Sequence, residues 1–192
     1  MVEIRDYLRG TFDETQRIQK RFLEECQDGL IEAAQAIGRS IQAGGKLLIF
    51  GNGGSAADAQ HMAAEMTGRM LVERRPLPAI ALTTDSSALT AIGNDYGYDQ
   101  VFLRQAQALA KPGDVVLAIS TSGNSPNVID AVRFVKTLPC PVIGLTGREG
   151  GKLLEMADFK LNVSLGKNSS RIQESHIFAV HSLVDLVDRY FL

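Results

Sequence analysis

Five short apolar runs recur along the chain: LLIFG (47–51), PAIAL (78–82), DVVLAIS (114–120), PVIGLTG (141–147) and FKLNV (159–163). Each is separated from the next by sequence of helical length. Such runs suit strands buried on both faces, and strands alternating with helices build βαβ units around a mainly parallel sheet. The pattern predicts an α/β protein: a three-layer α-β-α sandwich with a mainly parallel, five-stranded sheet.

Two helices are expected ahead of the first strand. Ile4, Leu8, Phe12, Ile18 and Phe22 give an amphipathic spacing up to about Cys26. A second helix is expected over Leu30 to Gln42, with Gly44 and Gly45 as its stop. A long closing helix is expected from about Ser170 to Tyr190. Residues 1–192 read as a single domain, with 1–43 a helical extension and 44–192 the α/β core. The extension has no strand of its own to pack on, so packing on another subunit, and hence an oligomer, is expected.

The function classes this leaves are narrowed by composition. A formal net charge of -2 over 192 residues gives no electrostatic case for binding nucleic acid. No apolar run approaches the roughly 18–20 residues that span a bilayer, and the opening MVEIRDYLRG lacks the apolar stretch of a signal peptide. The two cysteines, Cys26 and Cys140, have no metal-ligand spacing. A cytoplasmic protein is expected.

In an open α/β sheet, ligands bind beyond the carboxyl ends of the strands, where helix N-termini present free N–H groups. The first such loop is GNGGS (51–55), containing Asn52, Gly53, Gly54 and Ser55. Its glycines let backbone approach a ligand closely, and they serve plain strand-to-helix geometry equally well. It is neither GxGxxG nor a Walker A loop, so neither a dinucleotide nor a nucleoside triphosphate is signalled. The second, STSGNS (120–125), sets Ser120, Thr121, Ser122 and Ser125 around a glycine at an expected helix start. Four hydroxyls exceed what an N-cap uses, and with helix amides they suit a phosphate monoester. The third, GLTGREGG (144–151), reads as a tight structural turn.

His61 and Glu65 lie four apart on a helix expected to begin near Ser55, so they share one face. That spacing suits two ligands of one metal, or an ordinary surface pair. On the closing helix Gln173 and His181 are eight apart, on roughly one stripe, with His176 rotated away from it. All three histidines fall in these two helices, so a metal site here would draw on imidazole, carboxylate and amide groups. Within TTDSSALTAIGNDYGYDQ (83–100), Asp85 suits a helix cap. Asn94 and Asp95 follow a glycine, where turn formation or hydrogen bonding to sugar hydroxyls would each use them.

Taken in order, GNGGSAADAQHMAAEMTGR, LTAIGNDYGYDQVF, AISTSGNSPNVI, GLTGREGG and RIQESHIFAVH resemble segments of the sugar-isomerase (SIS) domain family, most narrowly its phosphoheptose isomerases. The similarity runs from about residue 40 to 190. It implies an SIS-type, flavodoxin-like sandwich and the interconversion of sedoheptulose 7-phosphate with D-glycero-D-manno-heptose 7-phosphate, a first step towards the heptose units of bacterial surface polysaccharide. It also implies one zinc ion (Zn2+) per subunit and a homotetramer with active sites near subunit contacts.

Carried onto matching positions, His61, Glu65, Gln173 and His181 would hold the metal. Ser120, Thr121, Ser122 and Ser125 would bind the phosphate, and Asn52, Gly53, Gly54, Ser55, Asn94 and Asp95, with Glu65 and Gln173, the rest of the sugar. Glu65 and His181 would move the protons. Ser170 is a departure, since some members carry an acid there. Three rivals share the resemblance: a non-catalytic SIS protein that binds a replication initiator, an SIS regulator that senses a sugar phosphate and would carry a DNA-binding module, and an isomerase of another sugar phosphate. Glu65 and the intact GNDYGY segment favour the enzyme over the first.

Overall fold

A computed structural model describes residues 2–192 of the chain. The elements in order are α1 (Val2–Gln42), β1 (Leu47–Gly51), α2 (Gly54–Thr67), β2 (Ala79–Ala81), α3 (Ser86–Tyr96), a 3-10 turn (Tyr98–Gln100), α4 (Val101–Leu109), β3 (Val115–Ser120), α5 (Pro126–Val135), β4 (Val142–Gly147), α6 (Gly151–Met156), β5 (Phe159–Val163) and α7 (Ser169–Tyr190). All five expected strands form. They pair in parallel in the order β2-β1-β3-β4-β5.

Successive strand residues feed opposite faces. Leu47, Ile49, Leu117 and Ile119 pack with Ile18 and Phe22 of α1, Met62 of α2 and Val180 and Leu183 of α7. Leu48, Phe50, Val116 and Ala118 pack with Phe102 of α4, Val132 of α5 and Leu153 of α6. Burying each such side chain is worth about 1.5–3 kcal/mol, so both layers are held mainly by apolar burial. The strand order reverses between β1 and β3. In a doubly wound sheet that switch point opens a crevice at the carboxyl ends, and the loops that leave it here are GNGGS and STSGNS.

The N-terminal region differs from expectation in two ways. It is one helix of 41 residues, not two. The expected break falls at Gly29, and that glycine is a contact point: a Cβ there would lie 3.3 Å from Leu161 Cδ2 and 3.5 Å from the Lys160 carbonyl of β5. Tertiary packing repays the helix-propensity cost of glycine, about 1 kcal/mol. The second half of α1 is also not an appendage. Ile18, Phe22, Leu30, Ile37 and Ile41 are buried in the core shared with α7. What stays uncovered is the first part, where Ile4, Tyr7, Leu8 and Phe12 are exposed.

Candidate active site

The candidate metal and proton groups sit on α2 and α7, which run side by side in the same direction. At their starts, the Gln173 side-chain amide lies against Gly54, where an added Cβ would overlap it. Farther along, His61 Nε2 lies 3.1 Å from Glu65 Oε1 and 3.2 Å from His181 Nε2. His181 Nε2 is 4.0 Å from Glu65 Oε1. The helix periodicity that puts His61 and Glu65 on one face is matched by the stripe that brings His181 across to them.

This triad fits a metal ion. A single imidazole nitrogen carries either one proton or one lone pair, so His61 Nε2 cannot satisfy both neighbours with one proton. A cation accepting a lone pair from each of the three atoms removes the conflict. Tetrahedral zinc with bonds of about 2.0–2.1 Å separates its donors by about 3.3–3.4 Å. Two of the three edges, 3.1 and 3.2 Å, are near that value. Glu65 Oε2 is buried and has no hydrogen-bond partner among the described residues. Gln173 lies on the same α2–α7 seam, with its amide against Gly54.

Across the crevice, the STSGNS loop turns its hydroxyls inward. Ser120 Oγ, buried at the end of β3, lies 3.1 Å from Ser125 Oγ and 3.5 Å from Ser122 Oγ. Gly123, at φ 64°, makes the turn, with its N–H bonded to the Ser120 carbonyl. Ser125 occupies the N-cap of α5, yet its side chain makes no capping hydrogen bond. Pro126 at the first helical position has no N–H and the Val128 N–H bonds Asn127 Oδ1, so the Asn127 N–H is the first-turn amide of α5 left to meet an anion. Thr121 sits in the same turn, half-buried.

The glycine turn after β1 is tied to this loop. The amides of Asn52 and Asn127 bond reciprocally, at 2.8 and 2.9 Å, and Tyr98 donates its hydroxyl to Asn52 Oδ1 at 3.2 Å. Gly53 and Gly54 are exposed and Ser55 is buried beneath them. Asn94 and Asp95 do not form a turn. They lie in the last part of α3, exposed, with Asn94 donating to Asp95 Oδ1 at 2.8 Å. Asp85 caps α3 as expected, accepting from the Ala88 N–H at 2.9 Å. At the start of α7, Ser170 donates to Asn168 Oδ1 at 2.7 Å and so supports that helix's cap.

A match to the SIS domain covers residues 12–147. The chain belongs to the SIS domain family. Within it the chain groups with the phosphoheptose isomerases. It is 54% identical to phosphoheptose isomerase of Aliarcobacter butzleri over 88% of each chain, and 49% identical to that of Aquifex aeolicus over 94% of each. The solved structure of phosphoheptose isomerase from Neisseria gonorrhoeae superposes with a TM-score of 0.89 at 45% identity, covering 97% of this chain and 99% of the other.

Two further residues stand near the triad. Asp58, one turn before His61 on α2, has its carboxyl pushed up to about 6 by burial, with His61 and His181 drawing it partly back. Its Oδ2 is buried without a partner among the described residues. Its place in the i, i+3, i+7 series Asp58-His61-Glu65 was the available signal. Arg74 left none, because its role depends on where a loop folds.

Proposed function

We propose that the chain is a phosphoheptose isomerase that interconverts sedoheptulose 7-phosphate and D-glycero-D-manno-heptose 7-phosphate by enediol proton transfer. The observation that carries this reading is that α2, with His61 and Glu65, and the Ser120–Ser122–Ser125 cradle follow the two strands flanking one switch point, while α7 brings His181 across to complete the triad. One end fits a reacting carbonyl and the other a phosphate.

The hydroxyls of Ser120, Thr121, Ser122 and Ser125, with the Asn127 N–H at the start of α5, bind the phosphate and fix the far end of the sugar. Such anchoring converts remote binding energy into orientation at the reacting carbons. Asn52, Asn94, Asp95, Gln173, Ser55 and the amides of Gly53 and Gly54 bond the sugar oxygens between. Glu65 removes the proton from C1 and returns it to C2. His181 protonates the carbonyl oxygen on C2 and takes the proton from the hydroxyl on C1, so the double bond passes through the enediol to C1. His61, Glu65, His181 and Gln173 would hold one zinc ion, which when bound supplies Lewis-acid polarisation of the carbonyl oxygen. Glu65 and His181 would then be both ligands of the ion and carriers of the protons.

We also read the chain as one domain that works as a homotetramer in the cytoplasm. The exposed apolar start of α1 supports the assembly, and the buried, unpaired Cys26 and Cys140 fit a reducing compartment. No helix is long and apolar enough to cross a membrane among the described residues.

Glu65→Gln and His181→Gln should each keep the fold and lose about 10²–10⁴-fold in turnover of sedoheptulose 7-phosphate. Rates near wild type would remove the assignment. Turnover of five-, six- and seven-carbon sugar phosphates, with and without chelator, checks substrate length and metal together. Equal turnover of all three would make the chain an isomerase of broader range.

A further inference from the structure

The segment after α2 carries Arg74, whose side chain is 2% exposed, as is that of its partner Asp188 on α7. Arg74 Nε donates to Asp188 Oδ1 at 2.8 Å. The same guanidinium donates from Nη1 to the Gly68 carbonyl at 2.7 Å and from Nη2 to the Glu65 carbonyl at 2.8 Å. Those carbonyls lie in the last turn of α2 and at its C-cap, where the helix leaves acceptors unpaired and its dipole favours a cation. One rigid planar group thus closes the end of α2 and reaches across to α7. A lysine has no such fork.

The positions of the joined residues give the bridge its meaning. Glu65, whose carbonyl is held, carries a triad carboxylate on its side chain. Asp188 lies seven residues beyond His181, about two turns and close to the same stripe of α7. Arg74–Asp188 therefore ties the two helices on the far side of the triad from the place where the Gln173 amide meets Gly54. The bridge is costly for stability alone: two charges are desolvated, and Asp188 Oδ2 finds no partner among the described residues. Apolar side chains of similar size often fill such a place equally well or better.

We propose that Arg74, with Asp188, is a positioning residue for the reaction: it sets the register of α7 against α2 and so the spacing of His181 from His61 and Glu65. The inference rests on reading that triad as the metal and proton site.

The test is a Co2+ titration followed by visible absorption, alongside steady-state kinetics, on wild type, His61→Gln, Arg74→Lys and the double variant Arg74→Met/Asp188→Leu. The double variant removes both charges and should remain folded, with a melting temperature near wild type. Its Co2+ affinity should fall about 10–100-fold, the range typical when support behind a metal ligand is lost. The ligand-field spectrum should change, and kcat should fall at least tenfold while KM stays within about twofold. Arg74→Lys, which keeps the charge and loses the fork, should lie between. A folded double variant with wild-type Co2+ affinity, spectrum and kcat would overturn the proposal. Should the double variant fail to fold, Arg74→Lys decides alone: wild-type affinity and kcat in it overturn the proposal. Wild type that binds Co2+ no better than His61→Gln would instead overturn the metal reading, and this inference with it.

Discussion

His176 sits three residues beyond Gln173 on α7 and serves the fold, not the chemistry. It is fully buried, and its Nε2 lies 3.0 Å from the Thr146 carbonyl at the end of β4. That contact fixes Nε2 as the protonated nitrogen, since a carbonyl only accepts. Burial lowers its pKa from 6.5 to about 4, the Thr146 bond opposing in part. Below 6.5 the unfolded chain takes up a proton that the folded chain resists, so acid favours unfolding. His176 therefore contributes stability that is fully present above about pH 6.5 and is lost as pH falls towards 4, roughly 3 kcal/mol in all. Urea unfolding midpoints measured between those pH values should fall more steeply for wild type than for His176→Asn. Parallel curves would contradict it. The sequence already separated His176 from the Gln173–His181 stripe, because helical phase is a local property. Helical spacing put Asp58 on the His61–Glu65 face but could not show it as buried, and nothing local marked Arg74. Their significance comes from burial among residues far away in the chain, and no local pattern records that.

At the level of elements, strands and loop positions were legible because buried parallel strands are written as uninterrupted apolar runs. The length of α1 was not, because Gly29 signals a stop locally and a close approach to β5 only in three dimensions. The STSGNS loop shows the same division. Its composition allowed either an N-cap or a phosphate cradle, and the difference lies in where Ser125 points. In the fold its side chain faces Ser120 and makes no capping bond, while Asn127 Oδ1 takes the Val128 N–H instead. Ser125→Ala should then cost less than about 0.5 kcal/mol, below the usual 0.5–2 kcal/mol for a lost cap. It should raise KM for the sugar phosphate about tenfold, consistent with losing a hydrogen bond to a charged group. Thermal melts and initial rates on the same protein decide: a lower melting temperature with unchanged KM would make Ser125 a cap after all.

For the molecule as a whole, the unresolved account is the beginning of α1. Ile4, Tyr7, Leu8 and Phe12 are 60–77% exposed, and together they form the apolar stripe of an amphipathic helix. A helix end of this length gains little from propensity alone and normally owes its stability to an apolar face packed on something. Within the chain, that packing starts only near Ile18. Exposed Leu71 lies far along the sequence, beside a cleft of about 420 Å³ that it lines with Met70 and Phe178 next to His181. A second copy seated on these surfaces would cover the stripe and wall the open side of the site, which links assembly to activity. Replacing Leu8 and Phe12 together by Glu places two charges on the stripe without touching the core. Light scattering should show wild type as a tetramer and this variant as a smaller species with its α/β core still folded. Turnover per subunit should fall in the variant and recover at higher protein concentration as association is forced. A wild-type protein that is monomeric at assay concentration and fully active would dismiss the assembly. A dissociated variant with unchanged turnover would keep the assembly and sever it from the site.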